Sequence, residues 1–223
     1  MRKRFFVFIS SILLTICFLF LCGFSKPDNT GDLVLDNGSD IYFVGDSRTF
    51  FAYNSIADNR VNWLAACGTR YDYFAGRYLP MLDAVNKKGK TIVIFYGVND
   101  VMQSRDIAVN NWLTFLLTYG KKWEAEGADV IMCNVPGVDY ELCESSTVFS
   151  KETVDIINSN INSFNDIIRD SCPDEIEWLN IRKLYNCPDG IHYCADDYSR
   201  IYKGLIDQLV IRNFQRSVLR GGN

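Results

Sequence analysis

Residues 41–48 read IYFVGDSR, and this stretch decides the fold. Its first four residues are apolar or aromatic without alternation, which is typical of a strand that is covered on both faces of a sheet. Gly45 and Asp46 end the run, and Ser47 is expected where the strand turns into a helix. The stretch therefore predicts a parallel strand that delivers a serine to the carboxyl edge of a sheet, where the active sites of such folds gather.

The rest of the chain repeats this alternation of strand and helix. Four further apolar runs predict strands at residues 61–65, 91–95, 129–133 and 176–179. Apolar residues at helical spacing predict helices over residues 71–85, 109–126, 151–171 and 197–219. The pattern predicts an α/β fold with a mainly parallel five-stranded sheet and helices on both faces.

The N-terminal segment has a different composition. Residues 2–4 are basic, and residues 5–21 carry no charge and are rich in Phe, Ile and Leu. This pattern predicts a signal peptide or an N-terminal membrane anchor over residues 1–24, so the protein is either secreted or anchored on the outer face of the cytoplasmic membrane. A lipid-modified Cys22 is a third possible fate, but no small residue precedes it. The polar residues 25–40 are predicted to be a linker, and residues 41–223 a single folded domain.

Composition limits the classes of partner. The chain has 223 residues, 48% of them hydrophobic, which suffices for one domain with a substantial core. A net charge of -4 argues against a nucleic-acid partner. With one histidine and no paired carboxylate motif, we expect neither a metal nor a cofactor. The oligomeric state is left open.

Six cysteines follow the N-terminal segment: Cys67, Cys133, Cys143, Cys172, Cys187 and Cys194. In an exported chain they permit disulfides, while several of them fit equally well as small buried hydrophobes. The sequence cannot choose a pairing. Cys187 and Cys194 flank the segment that holds the histidine, so they are the first pair to test.

Residues that could take part in catalysis follow four of the predicted strands. Ser47, Gly68 and Asn99 each follow one strand, and Asp189 and His192 follow the last. Because parallel strands end at one edge of a sheet, we expect these residues to lie together. A serine hydroxyl needs a base to take its proton, and His192 is the only histidine in the chain. Each piece alone is more often a turn or a structural residue, so the specificity lies in the whole set and its order.

Four short segments resemble the four sequence blocks of the SGNH (GDSL-type) hydrolase superfamily: Gly45-Asp46-Ser47, Gly68, Gly97-Val98-Asn99-Asp100 and Asp189-Gly190-Ile191-His192. The likeness covers most of the chain after Asp40, although the motifs themselves are short. It implies a three-layer α/β/α sandwich on a flavodoxin-like sheet. Arg48 stands where the GDSL name has leucine, and Gly-Asp-Ser-Arg-Thr is typical of a subset of the superfamily.

The resemblance also implies roles for the site residues. Ser47 would be the nucleophile, His192 the base and Asp189 the group that orients it. The Ser47 N–H, the Gly68 N–H and the Asn99 side chain would form the oxyanion hole. The implied activity is hydrolysis of a carboxylic ester through an acyl-serine. Removal of acetyl groups from an extracellular polysaccharide is the substrate class that the family suggests for an exported member.

Two other classes of function fit the same motifs. An acyltransferase would use the same triad and pass the acyl group to a sugar hydroxyl. A catalytically silent carbohydrate-binding module would keep the fold and lose part of the triad or of the oxyanion hole. In this sequence all the motif residues are present.

Two arginines, Arg48 and Arg70, are expected beside the site. Each is interpreted either as a contact for an anionic or polar group of the substrate or as a partner in a structural salt bridge. For the second reading the partners would be nearby acidic residues: Asp46, Asp72 or Asp100.

Overall fold

A computed structural model describes residues 31–139, 141, 149–181 and 189–221, with side chains described up to residue 218. Within these ranges six strands form one sheet, in the order β1-β3-β2-β4-β5-β6. The strands are β1 (Asp32–Leu35), β2 (Ile41–Gly45), β3 (Asn62–Ala66), β4 (Thr91–Phe95), β5 (Asp129–Cys133) and β6 (Glu177–Leu179). All neighbouring strands are parallel except β1, which is antiparallel to β3. The predicted mainly parallel α/β sheet is confirmed, and the count of five strands is corrected to six.

The additional strand lies inside the predicted linker. Residues 32–35 pair with β3, with Asp32 opposite Ala66 and Leu35 opposite Trp63. Leu33 and Leu35 pack against one face of the core and Val34 against the other, so this short segment buries apolar surface on both sides. The predicted signal or anchor segment lies outside the described residues.

Helices connect the parallel strands. They are α1 (Ser47–Ile56), α2 (Tyr71–Tyr73), α3 (Leu79–Ala84), α4 (Val98–Gln103), α5 (Arg105–Phe115), α6 (Lys121–Ala125), α7 (Lys151–Ser171) and α8 (Ala195–Gly221). A π-helical turn, Phe74–Tyr78, joins α2 to α3, and another, Leu116–Gly120, joins α5 to α6. The predicted helix over residues 151–171 has the expected bounds, and Ser150 caps it by accepting the N–H of Thr153 at 3.2 Å.

The core has two halves, one on each face of the sheet. Tyr42 and Val44 of β2 face a cluster that includes apolar residues of α5 and α7. Ile41 and Phe43 face a second cluster formed with α1 and α8. This alternation along one strand produces the three layers, helices–sheet–helices.

Four of the predicted disulfide candidates are free thiols: Cys67, Cys133, Cys172 and Cys194. Cys194, one of the two residues chosen for the first test of a disulfide, is thus a free thiol. Cys143 and Cys187 lie outside the described residues.

The described part of the chain holds neither a membrane-spanning helix nor a cluster of metal ligands. None of its helices is long and apolar enough to cross a membrane. It holds no group of three or more His, Cys, Asp or Glu side chains placed to bind a metal ion.

Candidate active site

The start of α1 places Ser47 at the carboxyl end of β2. Asp46 is the N-cap, and its carboxylate accepts the N–H of Arg48 at 3.0 Å. Gly45 precedes it because Thr49 packs directly over the strand end, where a Cβ on residue 45 would clash with the threonine side chain. The sequence Gly-Asp-Ser therefore ends a strand, caps a helix and leaves Ser47 as the first helical residue.

Three side chains form a hydrogen-bonded chain at this edge. Ser47 Oγ lies 2.7 Å from Nε2 of His192. Nδ1 of the same ring lies 2.6 Å from Oδ2 of Asp189. This geometry suits a neutral imidazole that accepts the serine proton at Nε2 and donates from Nδ1 to the carboxylate.

The Asp189 turn orients the ring. Oδ1 of Asp189 accepts the backbone N–H of Ile191 at 2.9 Å and that of His192 at 2.7 Å, while Oδ2 forms the hydrogen bond with Nδ1 of the imidazole. Gly190 has φ +77°, a left-handed conformation that glycine adopts without strain. Burial alone would raise the pKa of Asp189, but the hydrogen bonds from His192 and Ile191 outweigh burial and lower it to about 2. The carboxylate is therefore ionised at neutral pH and can stabilise a positive charge on His192.

Two loops bring further donors to the same edge. Gly45 pairs with Ala65 of β3 and Phe95 of β4, so the segments that follow these strands start side by side. Gly68 has φ +69°, and a Cβ there would meet no atom within 4 Å, so the backbone conformation is what favours glycine. Asn99 lies in the first turn of α4 and donates from Nδ2 to the carbonyl of Thr69 at 3.0 Å. That bond uses one of its two amide hydrogens and fixes the direction of the other.

The segment before Asn99 is held by close packing. Gly97 has φ +135°, and a Cβ there would lie 2.6 Å from Cγ2 of Val135. Asp100 is buried, and its carboxylate accepts the N–H of Tyr71 at 2.8 Å, which ties α4 to the start of α2. Burial raises the pKa of Asp100. The close packing at residue 97 and the bond to the carboxylate of Asp100 therefore give the glycine and the aspartate of Gly-x-Asn-Asp a structural role in this loop.

The second buried carboxylate of the site is Asp46. Burial raises its pKa to about 6, and the nearby charge of Arg48 only partly offsets that rise. Asp46 therefore loses its negative charge as the pH falls through about 6, directly beside the serine.

The two arginines have different environments. Arg70 is at the surface, and its guanidinium lies 3.5 Å from Asp72, one of the salt-bridge partners that the sequence suggested. Arg48 is 6% exposed, and its guanidinium bonds to the carbonyls of Pro136 and Ile191 in the interior. The structure therefore places two nitrogens of Arg48 against backbone carbonyls, while its Nη2 is buried without a hydrogen-bond partner among the described residues.

Sequence reasoning missed two neighbours of the site. Thr69 positions Asn99 through its carbonyl, and its own hydroxyl donates to the carbonyl of Ala66 at 2.8 Å. Phe51 of α1 lies edge-on to the ring of His192, with 4.9 Å between the ring centroids. Phe51 falls one helical turn after Ser47, a spacing that could have indicated a shared face. Nothing in the sequence distinguishes Thr69 from an ordinary loop threonine.

Comparison with solved structures shows which fold this is. The chain is similar to a GDSL-like lipase from Bacteroides thetaiotaomicron, at 18% identity, with 76% of this chain and 88% of that chain covered and a TM-score of 0.54. It is also similar to a protein from Bacteroides fragilis that is assigned as an acylhydrolase, at 16% identity, with 76% and 86% covered and a TM-score of 0.54. A third similar structure, from Streptococcus pneumonia, has 17% identity and a TM-score of 0.51, with 77% and 84% covered.

The chain thus has the fold of the GDSL-like hydrolases. At these identities the comparison establishes the architecture, and function has to be argued from the site. No family model matches the chain, and no curated protein matches its sequence.

Proposed function

We propose that this protein is a serine esterase of the SGNH hydrolase superfamily, which hydrolyses carboxylic esters through an acyl-serine intermediate. The observation that carries the proposal is the continuous chain of hydrogen bonds from Ser47 through His192 to Asp189, with lengths of 2.7 and 2.6 Å. The residues come from the start of α1 and the loop before α8, and the fold brings them to one edge of the sheet. The intact chain also weighs against a silent binding module.

The geometry supports a two-step reaction. Ser47 Oγ attacks the ester carbonyl carbon while its proton passes to Nε2 of His192, and Asp189 stabilises the imidazolium. When the tetrahedral intermediate collapses, the bond to the alcohol oxygen breaks and Nε2 protonates that oxygen. Water then attacks the acyl-Ser47 ester and gives a proton to Nε2. The second collapse returns that proton to Oγ and releases the carboxylic acid.

Three groups are proposed to stabilise the oxyanion. They are the N–H of Ser47 at the start of α1, the N–H of Gly68 and the free amide hydrogen of Asn99. The bond from Asn99 to the Thr69 carbonyl supports this, because an amide that is already fixed needs no reorganisation when charge develops. The N-terminus of α1 adds a favourable dipole. Arg70, which is exposed beside this edge, is proposed as a contact for a polar group of the substrate.

We also propose export, with an acetylated polysaccharide or another small-acyl ester as the substrate. The basic and apolar pattern of residues 1–24 supports export. Asp32 pairs with Ala66, so β1 starts at the edge of the sheet that carries Ser47. An uncleaved anchor would therefore be joined to the catalytic edge by residues 25–31, which span at most about 25 Å when extended.

The first experiment is ester hydrolysis by protein expressed from the full-length sequence. The substrates are 4-nitrophenyl esters of increasing acyl length. The matched variants are Ser47→Ala and Ser55→Ala, since Ser55 lies on the same helix and donates its hydroxyl to the carbonyl of Phe51. We expect activity on short acyl chains that falls by about 10⁴-fold or more in Ser47→Ala and is retained in Ser55→Ala.

Other results would redirect or reject the proposal. Activity that survives Ser47→Ala would reject Ser47 as the nucleophile. Acyl transfer to an added sugar in preference to water would make the protein an acyltransferase. The mass of the mature chain, measured in the membrane and medium fractions, tests export and shows whether the N-terminal segment is cleaved.

A further inference from the structure

The residue after the nucleophile connects three separate segments of the chain. Nε of Arg48 donates to the carbonyl of Ile191 at 3.0 Å, and its Nη1 donates to the carbonyl of Pro136 at 2.9 Å. Ile191 directly precedes His192 in the sequence. One guanidinium therefore holds the backbone beside the base from the residue beside the nucleophile, Ser47.

Burying this cation is costly unless the structure compensates it. Arg48 is 6% exposed and forms no ion pair within the described residues. Its compensation comes from the two carbonyls, from the ring of Tyr193 at 5.8 Å and from the charge of Asp46. An apolar side chain here would avoid the desolvation penalty, so a buried arginine indicates a specific structural task.

We propose that Arg48 is a positioning residue that holds His192 at the right distance from Ser47. The inference rests on the proposed function, because it assigns Arg48 a part in that reaction. Arg48 does not touch the reacting atoms and acts through the carbonyl of Ile191. It sets the 2.7 Å separation between Ser47 Oγ and His192 Nε2 by fixing the loop against the start of α1.

The described bonds of Asp189 act within its own loop. They go to Ile191 and His192, so they orient the imidazole. None of these described bonds reaches α1. A second bond, from the N–H of Asp139 to the carbonyl of Gly190 at 2.8 Å, ties the loop to the segment that follows β5. Arg48 reaches that same segment at Pro136, so it fixes the loop both directly and through its neighbour.

The planar fork of arginine fits this task better than other side chains. Nε and Nη1 point in fixed directions and bind two carbonyls at once. Lysine keeps the charge and can reach one carbonyl, glutamine keeps one donor without the charge, and methionine keeps only the bulk. The bonds from residue 48 to the two carbonyls are therefore removed in steps by the series Arg48→Lys, Arg48→Gln and Arg48→Met.

The test combines kinetics with spectroscopy on the full-length protein. We expect Arg48→Met to lower kcat by about 10²-fold with KM changed by about twofold or less, because a misplaced base slows chemistry more than binding. Arg48→Lys should recover part of kcat. The control is Arg60→Met, since Arg60 forms exposed ion pairs with Asp58 and Asp207, and its kcat should stay within about twofold of the wild type.

The single histidine gives a direct readout of position. In protein labelled with 15N-histidine, all imidazole signals come from His192. We expect the proton on Nδ1, which is bound to Asp189, to give a downfield signal in the wild type and in Arg60→Met. In Arg48→Met that signal should shift or broaden, while the circular dichroism spectrum and the unfolding transition show that the protein remains folded.

Each outcome bears on the proposal. A folded Arg48→Met with wild-type kcat and unchanged His192 signals would overturn it, and so would a rise in KM alone, which indicates a substrate contact. If Arg48→Met does not fold, Arg48→Lys and Arg48→Gln decide by the same two readouts. Activity that persists in Ser47→Ala would reject the proposed function, whereas the His192 signals would still report whether Arg48 positions that ring.

Discussion

At the scale of single residues, Asn99 shows how the oxyanion proposal can be separated from a structural role. Among the described residues its side chain forms one hydrogen bond, the 3.0 Å contact with the carbonyl of Thr69, which leaves its second amide hydrogen without a described partner. Loss of that bond alone would cost stability of only about 1 kcal/mol. Loss of an oxyanion donor would cost far more in rate.

We therefore expect Asn99→Ala to lower kcat by about 10²–10³-fold with little change in KM. Asn110→Ala, at an exposed position on α5, is the matched control and should leave kcat unchanged. Steady-state kinetics on a short-chain ester measures both. A fall in stability without a loss of kcat in Asn99→Ala would show that Asn99 stabilises the loop and takes no part in the reaction.

The protonation of Asp46 makes the stability of the folded protein depend on pH. Its pKa is about 6 in the folded protein and about 3.9 when unfolded, because burial disfavours the charged form. Its contribution to stability is fully present below the unfolded pKa and is lost as the pH rises through about 6. Asparagine can still cap α1 and cannot ionise.

We expect Asp46→Asn to gain about 2–3 kcal/mol in free energy of unfolding, relative to the wild type, between pH 4 and pH 7.5. Asp58→Asn is a control of opposite sign, because the bond from Arg60 lowers the pKa of Asp58. Urea unfolding at several pH values measures both. Parallel pH curves for the wild type and Asp46→Asn would contradict the raised pKa.

The sequence indicated the candidate site residues more clearly than the residues that support them. His192 could be assigned because it is the only histidine, and Ser47 because it follows a strongly apolar strand. The role of Arg48 could not be assigned, because its partners are backbone carbonyls 88 and 143 residues away. Carbonyls have no signature in a sequence, so a contact of this kind becomes visible only in the fold.

At the scale of elements, continuous apolar runs were the most informative signal. The strands predicted at residues 91–95 and 129–133 have those bounds in the structure. The edge strand β1 was missed because its three apolar residues lie among glycines, aspartates and a proline that suggest a linker. The two π-helical turns were missed as well, since one extra residue per turn does not disturb a pattern of apolar spacing enough to be recognised.

The attachment of β1 to the domain can be tested at one hydrogen bond. Tyr78 donates its hydroxyl to Asp32 at 2.7 Å and is itself buried in the core. We expect Tyr78→Phe to lower the free energy of unfolding by about 1–2 kcal/mol and to leave kcat unchanged. Tyr119→Phe, at a half-buried tyrosine of the second π-helical turn, is the control for loss of a hydroxyl. Equal stability of the wild type and Tyr78→Phe would mean that this bond does not hold β1.

At the scale of the whole molecule, the order of the strands explains where the site forms. The chain runs from β2 to β3 on one side of the sheet and then from β4 through β5 to β6 on the other. Such a reversal opens a crevice beside the carboxyl end of the central strand, and Ser47 begins α1 there. The alternation of strands and helices predicted a mainly parallel sheet with helices on both faces, and the flavodoxin-like form of that sheet was implied by the resemblance to the SGNH hydrolases. The tightness of the loops that meet at the crevice depends on packing between distant segments and was not predictable.

The proposed esterase activity requires that Ser47 is a nucleophile activated by His192. The most direct measurement is labelling of the folded protein with a fluorophosphonate, followed by mass spectrometry of its peptides. We expect one phosphonyl adduct on Ser47 in the wild type and none in Ser47→Ala. In His192→Ala labelling should be slowed by at least about 10³-fold, since an unactivated serine is a poor nucleophile. An adduct on another residue, or equal labelling of Ser47 without His192, would contradict the account.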